Sequence, residues 1–120
     1  MLSREHIQRW LDDYVSAWHS YDTDEIRALF APDVRYAYEP WEEPLQGADA
    51  VAASWLEDRD EPGSWAASYA PALIDGNAAT AKGETRYTDG KRFSNLFELE
   101  FDGEGRCARF TEWYLEQPAA

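Results

Sequence analysis

Hydrophobic positions in the first twenty residues repeat with a helical period. Ile7, Trp10, Leu11, Tyr14, Val15 and Trp18 fall three or four residues apart and form one apolar stripe, with Arg4, Gln8, Arg9 and the acids on the other side. The spacing predicts a helix over 3–20, with Ser3 as its N-cap. It should end near Ser20, because Asp22-Thr23-Asp24-Glu25 reads as a new start with the spacing of a capping box. A second helix is expected over 23–31, with Ile26, Leu29 and Phe30 inward and Pro32 as its stop. Val34–Tyr38 alternates as a short strand, closed by Pro40 and the acidic loop Trp41-Glu42-Glu43-Pro44. Gly47 then opens a third helix over 48–57, in which Val51 and Trp55 share a face.

Beyond the charged stretch 57–63 the period changes from helical to two. Four runs, 64–74, 78–88, 91–101 and 106–115, are separated by Asp75-Gly76-Asn77, Asp89-Gly90 and Asp102-Gly103-Glu104-Gly105. Asp-Gly between alternating strands is a strong hairpin signal. The order is helix, helix, strand, helix and then a four-stranded antiparallel meander, which makes the class α+β. Three N-terminal helices are expected to pack on a strongly curved, mostly antiparallel sheet. No repeat, low-complexity tract or linker divides the chain, so residues 1–120 are read as one domain.

Composition supports a buried core: 44% of residues are apolar and 15% aromatic, against 29% charged. Twenty-four acids against 11 bases give a net charge of −13. Such a surface repels phosphate backbones and anionic headgroups, so neither nucleic acid nor membrane is an expected partner. Lys82 and Lys91 are the only lysines, as in salt-adapted surfaces, although plain solubility is the simpler reading. Cys107 is the single cysteine and can form no intrachain disulfide. With no leader-like start and no apolar run near 18 residues, a reducing cytoplasm is the expected compartment.

Three segments resemble the nuclear-transport-factor-2-like superfamily, in particular its SnoaL-like and ketosteroid-isomerase-like branches. Leu29-Phe30-Ala31-Pro32-Asp33-Val34-Arg35-Tyr36 resembles the family's helix-to-strand junction, and Gly47-Ala48-Asp49-Ala50-Val51 the entry to its third helix. Gly105-Arg106-Cys107-Ala108-Arg109-Phe110-Thr111-Glu112-Trp113-Tyr114 resembles its last strand. The resemblance implies a conical, cystatin-like roll whose sheet wraps the first helix and leaves a pocket at the open end. It also implies a homodimer paired through the outer sheet face. The superfamily contains isomerases, polyketide cyclases, dehydratases, epoxide hydrolases and binding domains without turnover, so function must be read from the pocket residues.

Tyr14 lies sixteen residues before Phe30, the spacing at which ketosteroid-isomerase-like proteins place an oxyanion-binding tyrosine; the plainer reading is one more aromatic on the buried stripe. The isomerase general base aligns near Tyr38 and its second oxyanion donor near Phe97. A phenol and a phenyl cannot do those jobs, which argues against isomerisation of ketosteroids. Glu39 could serve as base only through a one-residue slip that would invert its neighbours. Asn95 sits on the apolar face Phe93, Phe97, Leu99, Phe101, and must bond either a ligand or a neighbour such as Tyr14.

The last strand offers two faces: Ala108, Phe110, Glu112 and Tyr114, or Cys107, Arg109, Thr111, Trp113 and Leu115. The resemblance and the cost of burying Arg109 favour Glu112 inward, where desolvation would raise its pKa toward neutrality. The alternative is an exposed Glu112 paired with Arg109 or another surface base. The expected pocket is lined by Tyr14, Trp18, Tyr38, Trp55, Asn95, Phe97, Phe110, Glu112 and Tyr114, with Glu112 and Tyr14 as the candidate catalytic pair.

Other features carry less. His6 and His19 lie too far apart on one helix to share a metal, and His19 suits the helix's C-terminal dipole. The acidic runs 39–43 and 57–61 lack a calcium-loop spacing. Cys107 has no nucleophile signature, the glycines read as turn residues, and either Glu84 and Arg86 or Thr85 and Tyr87 must face outward. No metal, nucleotide or flavin cofactor is expected. Two readings compete: acid–base chemistry of the cyclase, isomerase or dehydratase kind on a planar apolar substrate, and a ligand-binding or dimerising domain without turnover. A protein-interaction module is a third, and would need an exposed apolar patch.

Overall fold

The computed structural model describes residues 2–118. Helix α1 spans Arg4–Ser20; Ser3 Oγ accepts the backbone N–H of His6 at 3.1 Å, and Tyr21, with φ of 50°, turns the chain at the other end. Helix α2, Thr23–Ala28, starts on the Asp22 carboxylate, which accepts the Glu25 N–H at 3.0 Å. The capping box is one-sided. Glu25 Oε2 accepts from Ser20 Oγ, and the Asp22 N–H donates to that same hydroxyl.

Helix α2 is shorter than the sequence predicts, and Pro32 does not end it. The chain leaves the helix at Leu29, whose carbonyl accepts the backbone N–H of Cys107 and the indole N–H of Trp10, both at 2.9 Å. Strand β1 then runs Phe30–Ala37 with Pro32 inside it. Between Phe30 and Arg35 its pairing with the last strand slips register. A proline fits there because it lacks only an N–H that the disrupted ladder does not need. A two-residue strand, β2 (Leu45–Gln46), pairs with β1 and was not anticipated. Helix α3 is Ala48–Glu57, followed by β3 (Trp65–Asp75), β4 (Ala78–Tyr87), β5 (Arg92–Phe101) and β6 (Cys107–Glu116).

The six strands form one sheet in the order β2-β1-β6-β5-β4-β3. The meander β3 to β6 is antiparallel, and β6 closes against β1 as the one parallel pair among the described residues. Three helices packed on a mixed, mostly antiparallel sheet give the expected α+β class. Helix α1 packs on β3, and α3 on β1 and α2. Side chains of β1 and of β3, at nearly opposite ends of the sheet, reach the same cavity, which requires the sheet to curl. No helix among the described residues is long and apolar enough to cross a membrane.

The core is aromatic. Trp10 packs edge-on to Phe30 and Phe101 and stacks with Tyr14, while Tyr36 lies flat on Phe110 with ring centroids 4.4 Å apart. Such pairs add roughly 0.5–1.5 kcal/mol each beyond the apolar area they bury. Two local departures shape the face above them. In β6 Glu100 pairs with Arg109 but Phe101 pairs with Cys107, so Ala108 is an extra, bulged residue. The bulge turns Cys107, expected on the outer face, fully into the core, where burial pushes its thiol pKa up and makes it inert. Gly83 also departs from expectation: it is no turn residue but sits mid-strand in β4, opposite Tyr69.

Candidate active site

A cavity of about 480 Å³ lies between α1, α3 and the concave face of the sheet. Helix α1 and its cap contribute Tyr14, Trp18 and Tyr21; β1 and the residue after it contribute Tyr36 and Tyr38. Ser54 and Trp55 come from α3, with Asp58 and Asp60 just beyond it. The meander supplies Tyr69, then Thr85 and Tyr87, then Phe93 and Asn95, and finally Glu112 and Tyr114. Every one of the chain's seven tyrosines lines this cavity. Three carboxylates line it as well, and no Lys, Arg or His among the described residues does.

Seven of the nine expected pocket residues are therefore cavity-lining: Tyr14, Trp18, Tyr38, Trp55, Asn95, Glu112 and Tyr114. Phe97 and Phe110 are not. They are buried behind the wall, where Tyr36 stacks over Phe110 and the Tyr14 and Tyr69 rings cover Phe97 at 5.6 and 4.7 Å. These tyrosine rings fill the space that would otherwise have exposed the two phenyls. Glu112 faces inward on the side of β6 that carries Phe110 and Tyr114, whereas Trp113 and Leu115 point outward. On β4 it is Thr85 and Tyr87 that face in. Glu39 does not line the cavity, yet its charge reaches Glu112.

Glu112 is the polar centre of the site. Its Oε2 accepts from Asn95 Nδ2 at 2.8 Å. Burial among aromatic rings pushes its pKa up to about 7; the Asn95 bond pulls it down and the negative charge of Glu39 pushes it further up. A carboxyl near half-ionisation at neutral pH can both take and return a proton. Behind Asn95 stand Thr85, whose Oγ1 lies 2.9 Å from Asn95 Oδ1, and Tyr69, whose hydroxyl lies 2.6 Å from Thr85 Oγ1. Asn95 thus bonds neighbours on both sides of its amide, and Tyr14 is not among them.

The Tyr14 and Tyr36 phenols stay protonated. Burial holds the Tyr14 and Tyr36 pKa values well above the ordinary tyrosine range, and each is raised further by the other residues' charge, Glu112 included. They are neutral hydrogen-bond donors at any physiological pH. Tyr36 also accepts the Trp55 indole N–H at 3.3 Å. At the mouth, Trp18 Nε1 donates to Asp60 Oδ2 at 3.0 Å, and the Asp60 backbone N–H donates to Tyr21 Oη at 2.8 Å. Trp65 stacks on both Trp18 and His19, so His19 makes an aromatic contact that a helix-dipole reading did not foresee.

At the two positions where the isomerase-like pattern needs acids, the site is phenolic and apolar. Tyr38 shares a hydrogen bond with Ser54 Oγ at 2.8 Å, and Phe97 is buried. A model of the SnoaL-like domain matches residues 11–114, nearly the whole chain. The chain belongs to the SnoaL-like family. No curated protein matches the sequence. Among solved structures, a Kribbella flavida protein provisionally named a ketosteroid isomerase is 24% identical, with a TM-score of 0.73 over 98% of this chain and 83% of its own. A nuclear-transport-factor-2-like protein of unknown function from Burkholderia xenovorans is 18% identical, with a TM-score of 0.74 over 97% and 88%. An epoxide hydrolase of the LEH-like kind from M. tuberculosis is 15% identical, with a TM-score of 0.68 over 93% and 84%. At these identities the SnoaL-like domain shares a fold with its neighbours and nothing narrower.

Sequence reasoning missed Tyr69, Thr85, Tyr87, Phe93, Tyr36 and the mouth residues Tyr21, Ser54, Asp58 and Asp60. One available signal was Gly83. A glycine inside a strand marks a close approach, and here the approaching group is the Tyr69 ring, which lies across it.

Proposed function

We propose that this SnoaL-like domain binds a flat, mostly apolar small molecule without negative charge and transfers a proton on it, with Glu112 as the acid–base group. The observation that carries this reading is the Glu112 carboxylate, held by Asn95 inside an aromatic cavity and poised near neutrality. The tyrosine-rich walls offer planar stacking surfaces with polar edges. Tyr14 supplies a neutral phenol able to donate to an oxygen on which charge develops. Among the described residues three carboxylates line the cavity with no base beside them, which disfavours anionic ligands. Cyclisation, isomerisation and dehydration all fit one such proton-transfer group.

Binding without turnover is the second reading, favoured by the missing partner acid at Tyr38 and Phe97. A thermal-shift screen followed by product analysis of each ligand that binds separates the two, using matched neutral and carboxylated planar ketones and phenols on the wild type, Tyr14→Phe and Glu112→Gln. Stabilisation by ligands that bind only the folded state reaches about 2.7 kcal/mol at a hundredfold excess over Kd. Neutral ligands should stabilise the wild type and do so less in Tyr14→Phe. A ligand that binds Glu112→Gln as well as wild type, and is not altered by the wild type, would leave the domain a binder. The expected homodimer would use the outer face of β5 and β6, where Leu96, Trp113 and Leu115 lie together and Trp113 and Leu115 are exposed.

A further inference from the structure

We propose that Tyr69, Thr85 and Asn95 are positioning residues for Glu112, forming a one-way run of hydrogen-bond donors that fixes Oε2 and leaves Oε1 as the oxygen that works on the ligand. The inference rests on the acid–base reading of Glu112 and extends it to residues that never meet the reacting proton.

The direction of the run follows from donor arithmetic. An ionised carboxylate only accepts, so Asn95 must present its NH₂ to Glu112 Oε2 at 2.8 Å. That orientation turns Asn95 Oδ1 toward Thr85, whose hydroxyl must donate across 2.9 Å. A threonine hydroxyl has one proton. With that proton committed, Tyr69 must donate its own to Thr85 Oγ1 across 2.6 Å. Each assignment forces the next, and three protons point along one line at one carboxylate oxygen. Among the described residues no donor reaches Oε1.

The run has a structural basis in the sheet. It takes one residue from each strand of the meander, β3 to β6 in order, and its first three members are buried, so water does not compete for their bonds. Gly83 pairs with Tyr69 on one side and Asn95 on the other. Because it has no side chain, the Tyr69 ring can lie across β4 and bring its hydroxyl to Thr85. Aligned donors in a low-dielectric interior reinforce one another and favour the charged form of the group they end on. They also stop the Asn95 amide from rotating its carbonyl toward the carboxylate.

The test is a carboxyl ¹³C NMR titration of Glu112 in the ligand-free protein, with the resonance assigned by its loss in Glu112→Gln. Asn95→Leu should raise the midpoint by about one pH unit, a roughly tenfold weaker acid. Thr85→Val keeps the side-chain shape and should raise it by about half a unit, roughly threefold, because the amide is no longer oriented. Thr85→Ser should restore the wild-type midpoint. A merely structural Thr85 would change the unfolding midpoint and leave the Glu112 titration where it was, which would overturn the proposal; so would a Thr85→Ser titration matching that of Thr85→Val. If neither Asn95→Leu nor Thr85→Val moves the midpoint, the run has no hold on Glu112 at all. The titration needs no ligand, so failure to find a ligand or turnover would defeat the proposed function and leave this result standing.

Discussion

Glu112→Gln should stabilise the domain at pH 8 and leave its stability nearly unchanged at pH 4. The glutamate carries a pKa of about 7 in the folded protein against an ordinary value of 4.5. Between those values the folded state holds a proton that the unfolded chain has released. Stability therefore falls as pH rises from 4.5 to 7 and is level outside that window. At about 1.4 kcal/mol per pH unit, the raised pKa costs the folded protein on the order of 3 kcal/mol above pH 7. Residual solvent contact at Glu112 brings the expected figure closer to about 2 kcal/mol. Glutamine keeps the shape and an oxygen for Asn95, and it has no charge to desolvate. Urea unfolding of both proteins at pH 4, 5, 6, 7 and 8 measures the difference, and every titrating group not coupled to Glu112 cancels in it. With a slope of about 1–1.5 kcal/mol per molar urea, the variant's midpoint should lie more than about 1 M higher at pH 8. A difference that stays flat from pH 4 to 8 would mean that Glu112 titrates as a solvated carboxylate, and the case for it as an acid–base group at neutrality would collapse. A gain in stability at pH 8 coupled to a loss of function would mark the carboxylate as a feature kept at the expense of the fold.

Two further substitutions test the packing around the site. Gly83→Ala would drive its methyl group into the Ser68 carbonyl and the Tyr69 ring, and should cost about 1–3 kcal/mol or more by chemical denaturation. Gly103→Ala, in open space, should stay within about 0.5 kcal/mol of the wild type. At the outer face, light scattering coupled to size exclusion should show a dimer for the wild type and a monomer for Trp113→Ser, since Trp113 stands centrally between Leu96 and Leu115. A wild type that elutes at monomer mass would remove the dimer expectation.

The fold was legible because its elements announce themselves locally. The 3.6-residue stripe from Ile7 to Trp18 and the Asp-Gly turns between alternating runs needed no knowledge of neighbours. The misreadings have a common cause in long-range pairing. Pro32 reads as a helix stop until β6 is known to draw Phe30 onto the sheet, and β2 is a strand only because β1 lies beside it. Cys107 takes the wrong side of β6 until the bulge at Ala108 is seen, and nothing in Cys107-Ala108-Arg109 announces that bulge.

The site divides along the same line. Glu112 and Asn95 could be singled out, Asn95 because a polar residue on an apolar face is visible within its own strand, and Glu112 because the family resemblance and the cost of burying Arg109 turned its face of β6 inward. Tyr69 and Thr85 could not, because each is ordinary where it stands: an aromatic in a strand, and a β-branched residue that favours one. Their role appears only when β3, β4, β5 and β6 are laid side by side and four residues, one per strand, meet within hydrogen-bond distance. Phe97 and Phe110 show the converse. Both lie on the inner face, as the alternation requires, yet the tyrosines packed over them decide that they support the wall and do not form it. Alternation assigns a side chain to a face of the sheet; depth within that face depends on what the other strands place above it. In a cavity that gathers all seven tyrosines from α1 and its cap, β1 and the residue after it, and the meander, that second quantity governs which residues a ligand can touch.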